Sequence, residues 1–551
     1  MLKLSLLTRY ERYFPLFLAI LSLPLFFYYL GQIALIGPDE PRFAQVAREM
    51  YQSRDFISPR LAGHLWFEKP ALLYWLMAAS YSLFGVSEFA ARLPSALSAV
   101  LGVLAIYFTG RRASGPLYGL LSASVLATSV IYFSFARGAS FDMLFTLTIT
   151  LAFCCFFLSE IVDRKRRGKY LIGFYAAVGL SVLAKGLIGI VIAGGVIGLY
   201  LFITGQLKKV FKLRLLSGLA VFLAVCAIWY APVILRHGQQ FIQEFFIEHH
   251  FQRYTTNKYH HPGPVYYYIV VIFAGMFPWS FFLLPAIARL RRLKLRDAAI
   301  SLDVRLQIFT LSWILFPLAF FSFSTSKLPG YILPAVPAIA LFIGRQVKAL
   351  WEGEWDEYLK VSSYLTPLLV MLLAGVALFF PAGQFRVSNQ LRHILMAPPL
   401  ALGSLLLLFY FLRRIREAIV ALTLGMAVFA AALVTLTADI VSEAESFKTL
   451  SQTIVSEMRP GEKVLFFLPL PREVHSITFY ADQTAYYDEE KNGLGLEELI
   501  TEMRKVPSAL CLVEERNLDL ILANHKLRAY RLGKQHKVIL LRVTLIDRAA
   551  P

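Results

Sequence analysis

The chain has 551 residues, of which 57% are hydrophobic and only 17% charged, and it carries a formal net charge of +19. Soluble chains carry roughly a quarter charged residues, so the composition excludes an ordinary water-soluble protein and points to lipid. The positive charge does not indicate nucleic acid. Lys and Arg gather in short clusters between apolar runs, at 3–12, 111–112, 164–169, 208–214, 289–296 and 413–416, which is how basic loops orient helices across a membrane.

In chain order, the apolar runs predict helices near 15–36, 88–110, 116–136, 143–161, 169–184, 187–204, 215–235, 264–288, 304–323, 331–349, 361–381, 396–412 and 417–437. Most are long enough for roughly 30 Å of hydrocarbon. The expected fold is therefore a polytopic α-helical membrane protein with about thirteen transmembrane helices. An odd count puts the N-terminus inside and the C-terminus outside. The first run is long and lacks a small-residue cleavage site, so it reads as an uncleaved span. The apolar stretch 71–84 is short, and counting it would put Arg111 and Arg112 on the wrong side; it reads as a helix on the outer face, within one large external loop over 37–87.

Composition changes after Asp439. Charged helical stretches alternate with short β-like runs at 464–468, 509–513 and 538–543, which predicts a soluble α/β domain over 439–551, outside the membrane. The membrane domain is expected over 1–438. Four cysteines without a Cys-x-x-Cys make cysteine redox or metal chemistry an unsuitable reading.

Charged residues in such a chain need a reason, because Asp, Lys or Arg at the middle of a membrane helix costs roughly 2.5–3.5 kcal/mol on insertion scales. On the expected topology Asp39, Glu40, Arg42, Glu68, Lys69, Arg137, Asp142, His249, His250, Arg253, Lys327 and Tyr331 all fall on the outer side, with Lys185 at a further break between spans. Loops scattered in sequence but gathered on one face are how a scaffold builds a site.

Each candidate also has a plainer reading. Pro38-Asp39-Glu40-Pro41 can start a helix, with the carboxylates meeting its positive end. Glu68 and Lys69 can be a local ion pair, or Lys69 can bind a phosphate as a point charge. Arg137 and Asp142 can pair across their tight loop. His249 and His250 can be hydrogen-bonded loop histidines or ligands of a divalent metal, though no zinc signature surrounds them. Lys327 and Tyr331 can clamp a phosphate, or be a snorkelling Lys and an interfacial Tyr.

The ordered motifs bear on the class of protein. Asp39-Glu40-Pro-Arg42-Phe-Ala, Phe67-Glu68-Lys69-Pro70, Ala184-Lys185-Gly186, His250-Phe-Gln-Arg253, Gly275-Met-Phe-Pro278-Trp279 and Lys327-Leu-Pro-Gly-Tyr331 run in register over about the first 340 residues. Together they resemble the GT-C-type integral membrane glycosyltransferases, in particular the aminoarabinose transferases of lipid A and the broader protein-mannosyltransferase-like group. The resemblance implies a bacterial inner-membrane enzyme that moves a sugar from undecaprenyl phosphate to lipid A on the periplasmic face. An alternative acceptor is a protein or another glycan, with mannose as the sugar. Carried over by position, it implies catalytic roles for Asp39, Asp142 and Glu40, and donor-phosphate contacts for Lys69, Arg253, Tyr331, Lys185, Arg42 and Lys327. It also implies a divalent metal (Zn or Mg) at Glu68 with His249 or His250. Partners implied are the lipid-linked donor, the acceptor and membrane lipids, with the chain as a monomer. One departure stands out: Phe43 occupies a position where the family motif usually has Tyr. A lipid-linked-sugar transporter is the rival of another class, but it predicts internal repeats and polar groups at the bilayer midplane, and neither is seen.

Overall fold

The computed structural model describes residues 10–252, 262–292, 301–379, 389–468, 476–481 and 493–546. The chain divides into two compact units. One comprises Met1–Leu30, Phe67–Leu76 and Arg92–Leu436; the other comprises Gly31–Trp66, Met77–Ala91 and Thr437–Pro551.

Among the described residues six helices are long and apolar enough to cross a membrane: Glu88–Ser114, Phe141–Ile161, Leu215–Ile247, Leu302–Ser322, Pro329–Trp351 and Ile415–Glu445. Two further pairs meet the same test but are bent, Pro116–Thr128 with Val130–Ala136 by 66° and Tyr267–Gly275 with Ser280–Arg291 by 118°, giving eight if each pair is one span. Ile188–Ile203 is a shorter apolar helix, as are Leu72–Phe84 and Met396–Phe411. The chain is thus polytopic and mainly helical, but several expected spans are interrupted. The run at 15–36 is helical as Phe14–Ser22 and then widens into the π-helical turn Leu23–Phe27, ending at Tyr28 with ψ of 127°. Pro24 sits at the start of that turn and has no amide to donate, the local change that ends regular α-helix. Pro278 plays the same part between the halves of the more strongly bent pair.

A helical hairpin organises the larger unit. Phe141–Ile161 and Arg164–Lys185 are joined by only Val162 and Asp163, a connection that makes them antiparallel neighbours. The first and last residues of the hairpin therefore lie at its same, open end. At the closed end Glu160 is almost fully buried and accepts from Lys209 Nζ at 2.8 Å and Arg167 at 3.4 Å.

The smaller unit holds two sheets. The strands β1 (Arg60–Leu61) and β2 (His64–Leu65) form a short hairpin. Four longer strands, β3 (Lys463–Phe467), β4 (Ala509–Glu514), β5 (Leu527–Gln535) and β6 (Val538–Leu545), form a sheet in the order β3-β4-β6-β5, with β3 and β4 parallel and the other pairs antiparallel. Alternation puts Leu465, Phe467, Cys511 and Val513 in a core with Leu499 and Met503, whereas Val464, Phe466, Leu510 and Leu512 pack with Leu450, Ile454 and Ile477. Both faces are covered by helices, so β3 and β4 read as nearly continuous apolar runs.

Candidate functional site

Asp142 and Lys185 occupy the open end of the hairpin. Ser140 caps the Phe141–Ile161 helix by accepting the Asp142 amide at 3.1 Å, and its hydroxyl donates back to Asp142 Oδ2 at 3.1 Å. Lys185 is the last residue of its helix. Gly186 follows with φ of 86°, a conformation that ends the helix at little steric cost. Nζ of Lys185 forms an ion pair with Asp142 Oδ1, both side chains being mostly buried. The same ammonium lies 5.1 Å from the Tyr331 ring centre and 5.6 Å from that of Phe145. Two aromatic faces and one carboxylate thus hold the cation.

Tyr331 reaches this place through the 3-10 turn Pro329–Ala335, whose Tyr331 amide donates to Leu328 O at 3.1 Å. Gly330 makes the approach possible. A Cβ there would stand 2.6 Å from Asp142 Oδ2 and 2.9 Å from the Phe135 ring, closer than real side chains pack. Lys327 is buried, and its ammonium donates to Ser324 O at 2.6 Å, so it supports the turn before Tyr331.

Lys69 pairs with Glu68 at 3.0 Å, both mostly buried, and its charge acts electrostatically on Asp142. Phe67, immediately before, is buried against His237 and Phe241, with ring centres 5.2 Å away in each case. That apolar anchor fixes the Glu68-Lys69 pair. Arg137 does not pair with Asp142 as its simpler reading expects. The guanidinium donates to Leu25 O at 3.2 Å and lies over Phe133, which leaves Asp142 to Lys185.

In the smaller unit Asp39 begins the helix Asp39–Ser53. It is well exposed and forms an ion pair with Arg42, whose Nε also donates to Pro38 O at 3.0 Å. Glu40 is buried, and its Oε2 accepts the Ile36 amide at 2.9 Å, which ties down the turn before the helix; among the described residues no side chain hydrogen-bonds to the helix N-terminus as a cap. Phe43 is buried as well.

Of the remaining expected residues, Arg253 lies outside the described residues. His249 and His250 fall in the π-helical segment Ile242–Gln252, but their side chains are outside the described ones. Among the described residues no three His, Cys, Asp or Glu converge as a metal site, and the described Glu68 is engaged by Lys69. The motifs therefore gather Asp142, Lys185, Lys69, Glu68 and Tyr331 in one unit and Asp39, Glu40 and Arg42 in the other. Ser140, Phe145 and Gly330 were not anticipated. A Ser two residues before Asp142 is an N-cap signal, and Gly330 stands inside a motif already singled out; Phe145, one apolar residue among many, gives no signal.

The chain is similar to several known glycosyltransferases. Residues 68–231 match the family described as dolichyl-phosphate-mannose-protein mannosyltransferase. An undecaprenyl phosphate-alpha-4-amino-4-deoxy-L-arabinose arabinosyl transferase of Edwardsiella ictaluri is 30% identical over 62% of this chain and 60% of its own length. The chain thus spans three fifths of that relative. A protein of Aquifex aeolicus is 30% identical over 63% of this chain and 70% of its own. The crystal structure of ArnT from Cupriavidus metallidurans bound to undecaprenyl phosphate shares the fold, with a TM-score of 0.82, 22% identity, and coverage of 97% of this chain and 99% of that one. By sequence and by fold the chain belongs to the GT-C-type polyprenyl-phosphate-sugar glycosyltransferases, within their protein-mannosyltransferase-like superfamily.

Proposed function

We propose that this protein transfers 4-amino-4-deoxy-L-arabinose from undecaprenyl phosphate to lipid A, with inversion, on the periplasmic face of the bacterial inner membrane. The names of its relatives support the donor class, and the acceptor is part of the proposal. The observation that carries the chemical reading is the Lys185 ammonium, held by Asp142 between Tyr331 and Phe145.

In this reaction an acceptor oxygen bonds to the anomeric carbon as the bond from that carbon to the donor phosphate breaks. The electron pair leaves with the phosphate. Charge develops on phosphate oxygens, so cations fixed before the reaction lower its barrier most effectively. We assign that work to Lys185, Lys69 and the Tyr331 hydroxyl, with Arg253, Arg42 and Lys327 as further donor-phosphate contacts. Asp142 keeps the Lys185 ammonium in place. A lipid A phosphate is anionic near neutral pH and needs no base. Asp39, exposed at the start of its helix, then orients the sugar or its amino group, and with a hydroxyl acceptor it would take the proton. Glu40 secures the turn that presents Asp39.

In this proposal the N-terminus is cytoplasmic, residues 439–551 form a periplasmic α/β domain, and residues 1–438 form a membrane domain of about thirteen spans. The divalent ion belongs to it only as a ligand of Glu68 with His249 or His250, and no reaction step is routed through it. Metal analysis of the wild type against Glu68→Gln tests that part. The match to the mannosyltransferase family over 68–231 favours one second reading, mannose transfer to a protein or glycan.

Purified protein incubated with undecaprenyl-phosphate-linked aminoarabinose and lipid A, followed by product mass, tests the reading. Transfer that falls sharply in Lys69→Ala supports it. Well-folded wild type that leaves lipid A unchanged but, given polyprenyl-phosphate-linked mannose, mannosylates a protein or glycan would replace it with the second reading.

A further inference from the structure

Four successive residues before Asp39, 34–37, have every backbone amide satisfied. The Ala34 amide donates to Ser442 Oγ at 2.9 Å, that of Leu35 to Tyr480 Oη at 2.7 Å, and that of Gly37 to Glu445 O at 3.2 Å. Ile36 uses Glu40. Three of the four acceptors thus come from the C-terminal segment, and all of these residues belong to one compact unit. Gly37 has φ of 63° and open space around its missing Cβ. The chain makes a left-handed turn there and enters the Asp39 helix directly.

Tyr480 is the centre of this arrangement. Its hydroxyl accepts from Leu35 and donates to Glu88 Oε1 at 3.1 Å. Lys448 Nζ binds the same oxygen at 2.6 Å and lies 5.3 Å from the Tyr480 ring centre. A hydroxyl that donates to a carboxylate becomes a better acceptor, since bonds in a chain polarise one another. A second tie runs beside it: Arg48, on the Asp39–Ser53 helix, donates to Phe479 O at 2.9 Å and stacks over the Phe479 ring. Residues 479 and 480 therefore grip both the turn before Asp39 and the helix after it.

We infer that Tyr480 is a positioning residue for Asp39, so that the C-terminal segment sets the geometry of the transfer reaction through the chain Lys448–Glu88–Tyr480–Leu35. This rests on the proposed role of Asp39. Removing the Tyr480 hydroxyl frees the turn while leaving the ring packed, so Asp39 shifts without unfolding of the domain.

The test is a double-mutant cycle in full-length protein with Tyr480→Phe, Asp39→Asn and the pair, reading kcat, donor KM and thermal midpoint. A positioning role predicts that Tyr480→Phe lowers kcat about tenfold or more, with donor KM and thermal midpoint near wild type. It also predicts that adding Tyr480→Phe to Asp39→Asn changes kcat little further. Ser442→Ala, which frees the neighbouring Ala34 amide, should act in the same direction and serves if Tyr480→Phe folds poorly. Additive losses in the pair, or an unchanged kcat in both turn variants, would overturn the inference. An unchanged kcat in Asp39→Asn alone would instead remove the role of Asp39 and the inference with it.

Discussion

Asp142 and Lys185 stand near the start of one helix and at the end of the next, and their ion pair closes the open end of the hairpin those helices form. Forty-three residues separate them in sequence, yet a two-residue connection between antiparallel helices of 21 and 22 residues brings them together. The pair has a second neighbour in Tyr331, from a third segment.

Breaking the pair from one side should cost more than removing both charges. Lys185→Met leaves the mostly buried Asp142 carboxylate without its partner, a loss of about 3 kcal/mol or more for a well-buried pair. The double variant Asp142→Asn with Lys185→Met should recover much of that stability. Thermal unfolding in detergent checks the order. The double variant should still lose transfer, because the cation is gone.

Gly330→Ala introduces one methyl group where only hydrogen fits, 2.6 Å from Asp142 Oδ2. Either Asp142 turns away from Lys185 or the 329–335 turn retreats with Tyr331. Overpacking of this kind costs about 1–3 kcal/mol. We expect a larger effect on transfer than on folding, read as a fall in kcat at near-normal yield of purified protein.

Acid should loosen the C-terminal sheet through Glu462. Burial alone would push this carboxyl up, but the Ser508 hydroxyl, the Arg459 amide and Arg542 outweigh burial and hold it below its ordinary value. A depressed carboxyl contributes stability above its unfolded value, about 4.3, and loses it as pH falls through the lower folded value. Glu462→Gln should therefore weaken hydrogen-exchange protection of β6 amides near pH 7. The difference from wild type should shrink as the pH drops below about 4.

Cys511 should stay unreactive. It is fully buried in β4, and burial pushes its thiol up to about 12, so almost no thiolate exists near pH 7. Alkylating reagents should modify it only under conditions that unfold the sheet, as mass spectrometry of the intact protein would show.

Much of this was legible in the sequence, because hydropathy and charge report directly on lipid. The clusters at 164–169 and 208–214 mark a shared end of several helices, and Glu160 with Lys209 and Arg167 confirms that convergence. Strands β3, β4 and β6 announce themselves as apolar runs, whereas β5 is a mostly polar strand at the sheet edge and carries no such pattern. Breaks were harder to read. Pro24 and Pro278 lie inside runs apolar enough to pass as single spans, and periodicity says nothing of a bend. Of the site, the charged members were visible as expensive residues. Their pairing was not: Arg137 is five residues from Asp142 and was the natural partner, but Leu25 O takes its guanidinium and the distant Lys185 takes Asp142. Tyr480 was invisible, since its role depends on a backbone amide more than four hundred residues away.

The central claim is that Lys185, with Lys69 and Tyr331, holds the departing phosphate, and product inhibition by undecaprenyl phosphate tests it most directly. Each charge-assisted hydrogen bond lost should weaken the inhibitor by about 1.5–3 kcal/mol, so Lys185→Met and Lys69→Ala should each raise its inhibition constant roughly ten- to a hundredfold. Inhibition constants equal to wild type in both variants, with the proteins folded and kcat reduced, would contradict the account.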